Sequence, residues 1–259
     1  GTETTFAQIA AETLGVDPSQ VRVHHSDTAI YPHGIGTSAS RGLIIGGSAV
    51  HLALQEAREK LALMASKLLN CAMTDIIFQE GQVLNQRNPD EKITFSQLAA
   101  LAHDPESAPA VIEPGLDFLH EYTLPQSPVS FGAHAVVVEV DQDTLAVKIL
   151  RYVGVHDCGQ IINPMIVEGQ VHGGVVQGIG PVLWEGAVYD ENGQLRTGSM
   201  LDYAIPEADS VPNIESLRGV SNTPHRPLGR KGVGETGTIA SAVSVYNDAM
   251  GALKPFGVG

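Results

Sequence analysis

The stretch "NPMIVEGQVHGGVVQGIG", residues 163–180, constrains this chain most, because it has helical apolar spacing and too many glycines for a helix. Each interior glycine costs a helix roughly 1 kcal/mol relative to alanine. Such a helix persists only where something must approach its backbone closely. It directly follows two strand-like stretches, "AHAVVVEVDQ" (133–142) and "LAVKILRYVGVHD" (145–157), joined through Asp143. A strand pair running into a helix that offers backbone for contact predicts a mixed helix-and-sheet fold, α/β or α+β.

The rest of the chain is read in the same way. "TTFAQIAAETLG" places Phe6, Ile9, Ala10 and Leu14 on one helical face and stops at Gly15. "VRVHHSD" (21–27) alternates as a strand does. "YPHGIGTSASRG" is a glycine- and serine-rich loop that leads into a long helix over about residues 43–70, with Glu56 and Lys60 spaced for an ion pair. "IIFQEGQVLN" reads as a hairpin with Glu80-Gly81 at its tip. "TFSQLAALAH" reads as a helix opened by a capping threonine, and "TGTIASAVSVYNDAM" as the last helix. The proline-rich "DPESAPAVIEPGL" is the best internal boundary, dividing a first lobe (1–103) from a second (117–259) by a connection over 104–116.

A net charge of −14 excludes the basic footprint that nucleic acid requires. Two cysteines far apart, Cys71 and Cys158, cannot form a disulfide framework and point to a reducing cytoplasm. No apolar run is long enough to span a membrane. The chain opens already at a helix entrance and closes on "LKPFGVG" without a capping segment, so it reads as a piece of something longer.

Near the end, "GRKGVGETGTIAS" (229–241) holds Gly232, Gly234 and Gly237 at the spacing of a dinucleotide-binding fingerprint. That fingerprint needs an apolar strand before its first glycine, and here stands the polar, proline-broken "NTPHRPLGRK". What the loop does offer is backbone N–H groups at the start of a helix, a positive charge at Lys231, and a carboxylate, Glu235, among glycines too small to shield it. A carboxylate kept beside a bound anion should have a raised pKa, which suits a general base. "HDC" and "HHSD" do not supply four ligands at zinc spacing. Cys158 as a nucleophile lacks a partner histidine in a recognisable pattern, although His156 shares its face.

"GRKGVGETGT" resembles the catalytic loop of the molybdenum hydroxylases, the xanthine oxidase and aldehyde oxidase family, and above all large subunits of the aerobic carbon monoxide dehydrogenase type. "TETTFAQIAAETLGV", "GTSASRG", "FGAHAVVVEVD", "RYVGVHDCGQIINP" and "GQVHGGVVQGIG" resemble, in order, segments of the family's second molybdenum-binding region. The resemblance implies that Glu235 is the active-site base beside molybdenum, and that Lys231, Gly232, Val233 and Gly234 line the pterin side of its loop. It implies that Ala39, Ser40 and Arg41 lie beside the molybdenum and its pterin, that Gln177 is near the molybdenum ligands, and that Asp157, Cys158 and Asn163 meet the cytosine dinucleotide tail. Molybdenum would be held through the pterin dithiolene of a molybdopterin cytosine dinucleotide, with no protein metal ligands. Iron–sulfur (2Fe–2S) and FAD subunits would carry electrons away from a small-molecule substrate in an oligomeric complex. The family's upstream half, with the substrate-selecting loop, is outside this chain, which leaves carbon monoxide, aldehydes and N-heterocycles open. The alternative is a non-catalytic fragment that serves as an assembly or interaction module.

Overall fold

The computed structural model describes residues 1–34, 36–104, 113–126, 129–221, 223 and 227–257. The chain divides into two compact units, Gly1–Gln126 and Ser127–Gly259. Most of the predicted connection at 104–116 lies outside the described residues, and 117–126 belongs to the first unit.

In the first unit, helix α1 (Thr2–Leu14) packs along the long helix α2 (Gly42–Leu68). Gly46 and Gly47 of α2 make room for Phe6 and Ile9, since a Cβ on Gly46 would lie 2.8 Å from Phe6 Cζ. Helix α1 stops at Gly15, in the left-handed region with φ 64°, where a Cβ would collide with the Phe78 backbone at 2.5 Å. The antiparallel sheet β1 (Ile76–Gln79), β2 (Gln82–Asn85), β3 (Asn88–Thr94) contains the expected hairpin, with positive φ at both Glu80 and Gly81. Both tip residues in that region fit the turn whose twist matches the strands. Helix α3 (Phe95–His103) is opened by Thr94, whose side chain accepts from the Gln97 N–H. The core gathers Leu61, Met64, Phe78, Val83 and Leu98.

Two expectations fail in this unit. Residues 21–27 form no strand: Val21 is extended, yet no described segment pairs with it, and alternation alone cannot make a ladder. Glu56 and Lys60 do not pair with each other. The segment over α2 offers better partners, so Glu56 meets His120 at 2.7 Å and Lys60 Nζ donates to Gly115 O at 2.6 Å.

In the second unit, β4 (Phe131–Val140) and β5 (Val147–Asp157) form a long antiparallel pair, and β6 (Ile214–Gly219) runs parallel to β5. A parallel neighbour requires a crossover, which α4 (Pro164–Leu183) and the residues after it provide. Helix α5 (Thr236–Leu253) packs on α4 and β4. Tyr152, Val171, Val175, Ile179 and Val245 form the core between sheet and helices. The glycines of α4 have their explanation in α5: a Cβ on Gly174 would lie 3.1 Å from Gly237 Cα, and one on Gly178 would lie 1.8 Å from Ser241 Oγ. No helix among the described residues is long and apolar enough to cross a membrane. The architecture is mixed helices and sheets, as expected.

Candidate active site

Strand β5 ends at Asp157, and the chain turns at Gly159, with φ 67°. Into that turn returns the segment before α5. Gly159 and Arg230 form a bridge, Lys231 N donates to Cys158 O at 2.8 Å, and Gln160 N donates to Gly229 O at 3.2 Å. A Cβ on Gly159 would stand 2.6 Å from Gly229 O, so this crossing tolerates only glycine.

The Lys231 and Asp157 side chains meet under the crossing at 2.8 Å, 7% and 3% exposed. Lys231 Nζ also donates to Ser221 Oγ, and Ser221 Oγ donates to Asp157 Oδ2. Asp157 Oδ1 accepts from the N–H groups of Gly159 (2.9 Å) and Ser221 (3.2 Å). Burial alone would raise the Asp157 pKa, but the bonds from Lys231, Ser221 and the two amides outweigh it and hold the carboxyl well below its ordinary value. The Phe131 ring lies 4.8 Å from Lys231 Nζ.

Beyond Lys231 the chain rises to the surface. Gly232 is buried, Val233 is partly buried against the core, and Gly234 and Glu235 are exposed. Glu235 occupies the N-cap position of α5, yet its side chain does not cap the helix; its carbonyl accepts from Thr238 N and Ile239 N instead. Gln177, exposed on α4, accepts from Thr238 Oγ1 at 3.3 Å, which places it beside the first turn of α5. Among the described residues, no strand leads directly into the glycines; the approach is a short 3-10 turn, Pro227–Gly229.

Asn163 and Cys158 belong to the same unit as this turn. Asn163 caps α4, its Oδ1 accepting from Ile166 N at 3.1 Å. Cys158 is buried, and burial raises its thiol pKa, which leaves it a poor nucleophile. Ala39, Ser40 and Arg41 belong to the first unit, at the entrance of α2. Ala39 and Ser40 are successive non-glycine residues in the left-handed region, φ 49° and 55°. That conformation costs about 1–3 kcal/mol per residue and concentrates at functional sites.

Sequence reasoning missed Ser221, which no motif marks, and a buried cluster behind the loop. His134 Nδ1 is 2.6 Å from the Tyr152 hydroxyl, and its ring meets that of His156 edge-on at 4.8 Å. Glycines at 132 and 154 make room for His156, both of whose ring nitrogens are buried without a hydrogen-bond partner. The alternation of "FGAHAV" against "YVGVHD" was the available signal, since it puts both histidines on the helix-facing side of the pair.

Residues around Glu235 fit an anionic organic cofactor. The turn exposes the Gly234 backbone just before a helix N-terminus, where N–H groups and the helix dipole favour negative charge. Among the described residues, no three His, Cys, Asp or Glu side chains are grouped to hold a metal.

Residues 1–212 match the family described as molybdopterin cofactor-binding domain. The nicotine 6-hydroxylase large subunit of Paenarthrobacter nicotinovorans is 38% identical over 99% of this chain and 32% of its own length. The carbon monoxide dehydrogenase large chain of Hydrogenophaga pseudoflava is 33% identical over 100% of this chain and 32% of its own. The solved quinoline 2-oxidoreductase of Pseudomonas putida 86 superposes with a TM-score of 0.83 at 37% identity, over 98% of this chain and 33% of that one. The chain thus spans about a third of the length of these relatives. The family match ends before β6, whereas the first two relatives align across essentially the whole chain, the glycine turn included.

Proposed function

The chain belongs to the molybdopterin cofactor-binding family of molybdenum hydroxylases, and from that premise we propose that it forms the part of a large subunit that carries the active-site base, Glu235. The observation that supports this most is the placement of Glu235. It is an exposed carboxylate at the first turn of α5, on a turn pinned from beneath by a buried ion pair and flanked by Gln177 and Thr238.

The reaction class would be oxidative hydroxylation of an electron-poor carbon. A bound molybdenum cofactor supplies the two-electron acceptor for that chemistry. Glu235 would take up, at its carboxylate, the proton released as the new C–O bond forms. The glycines at 232 and 234 would let the backbone lie against the pterin, and the Gln177 amide would orient an oxygen at the same site. Val233, anchored in the core, keeps the turn from following the substrate. Relatives at 37–38% identity are named for nicotine and quinoline, so an N-heterocycle is favoured over carbon monoxide or an aldehyde. The cytosine dinucleotide form of the cofactor, with FAD and 2Fe–2S groups on partner subunits, completes the proposal.

The test is Glu235→Gln in the complete enzyme. Molybdenum content should be unchanged, while turnover falls about 10²- to 10⁴-fold, the usual scale for loss of a general base. A variant that keeps more than half the wild-type rate overturns the assignment and favours a non-catalytic module.

A further inference from the structure

We propose that Lys231, Asp157 and Ser221 form a buried clasp that positions the Gly232–Glu235 turn, and through it the Glu235 carboxylate. The inference rests on the reading of Glu235 as the base. From the sequence, Lys231 beside a glycine turn is a charge offered to an anion. The structure commits that charge elsewhere: the Lys231 side chain is 7% exposed, its ammonium bonded to Asp157 and Ser221 and faced by the Phe131 ring. Little of its donor capacity remains for a molecule outside the protein.

A buried ion pair is a poor way to gain stability, because desolvating both charges offsets most of their attraction. Its value lies in geometry: it is satisfied in one arrangement and costly in every other. Glycine-rich turns lack that property. Gly232 and Gly234 have no side chains to hold them, so the turn needs fixing from its ends. Thr236 and the start of α5 hold one end, with Thr236 N and Oγ1 both donating to Val233 O. At the other end Lys231 is held twice, by its backbone N–H on Cys158 O and by its ammonium on Asp157. Asp157 is itself fixed by the Gly159 and Ser221 amides, which tie β5, the segment after β6 and the turn before α5 to one carboxylate. Lys231, Asp157 and Ser221 are therefore positioning residues.

The experiment compares Ser221→Ala and Lys231→Met, alone and combined with Glu235→Gln, in the complete enzyme, reading amide hydrogen exchange, molybdenum content, kcat and KM. Exchange of the Gly232–Glu235 amides should rise about tenfold or more, as local opening becomes easier. Molybdenum content and KM should stay at wild-type values. Lys231→Met should lower kcat by about tenfold or more, since displacing a reacting group by 1 Å costs ~10²-fold. Neither variant should lower kcat further once Glu235→Gln is present, because the clasp acts only through Glu235. Unchanged exchange in the turn overturns the clasp. So does a molybdenum loss that matches the loss of activity, which would make Lys231 a cofactor contact, or a full kcat drop in the Glu235→Gln background. If Lys231→Met does not fold, Ser221→Ala, which keeps the ion pair, is judged by the same criteria. A near-normal Glu235→Gln enzyme would remove the base reading alone, and the exchange measurement would still decide the clasp.

Discussion

A histidine enclosed in apolar surroundings resists protonation, and His134 illustrates the consequence. Burial, with His156 close by, lowers its pKa from 6.5 to about 4, and burial lowers His156 as well. The unfolded chain takes up protons below pH 6.5 while folded His134 does not until about pH 4, so stability falls with pH across that window. The contribution of His134 is at most about 3 kcal/mol by linkage. Asp157 acts lower down: its contribution is present above the ordinary carboxylate value of 3.8 and is lost only as pH falls toward its depressed folded value. Denaturant midpoints should therefore drop between pH 7 and 4.5 at constant m-value, and His134→Gln should flatten the dependence. A midpoint independent of pH in the wild type would show that the cluster is hydrated in solution. Neither this cluster nor the clasp is legible in a linear motif. Asp157 stands 74 residues before Lys231, and only the crossing of β5 with the turn before α5 brings them together.

At the scale of elements, most of what the chain announced locally formed. Helices α1, α2, α3, α4 and α5, the hairpin tip at Glu80-Gly81 and the pair β4–β5 all carry their period, cap or turn residues in consecutive positions. Strand β3, "NPDEKIT", did not: its face is exposed and charged, so no alternation marks it. Strand β6 is short and depends on a parallel partner far back in sequence, at β5. Residues 21–27 show the converse, with alternation and no partner. The glycine-rich helix α4 was legible as a helix needing close contact, but the contact proves to be α5. That identity makes a prediction. Gly178→Val puts a branched side chain where Ser241 Oγ and Thr238 O already stand, 1.8 Å and 2.9 Å from a Cβ. It should destabilise the protein by about 1–3 kcal/mol or more by overpacking, measured by denaturant unfolding. Gly173→Ala on the same helix, where a Cβ meets nothing within 4 Å, should be neutral or stabilising. Equal effects of the two would mean that α4 and α5 are not in this register.

At the scale of the molecule, the glycine turn is exposed: Gly234 and Glu235 lie open to solvent, and the chain is about a third as long as its relatives. Tight ligand sites bury roughly 70–90% of their ligand. The relatives' large subunits, about three times as long, have further chain from which such walls could be built. The sheet β4–β5–β6 is similarly uncovered on the side away from α4 and α5, where Phe131, Val137, Val155 and Leu217 are 59%, 52%, 38% and 53% exposed. Alternation along the strands puts these residues on one face, and apolar surface of that kind favours association. Two outcomes are expected for the 259-residue chain purified alone: no stoichiometric molybdenum by elemental analysis, and self-association by light scattering. Leu217→Lys, on the edge strand β6 beside Val155, should restore a monomer without touching the clasp or the turn. A strictly monomeric wild-type chain that holds one molybdenum per molecule would mean that the site is complete within these residues, and that the exposed sheet has no covering role to await.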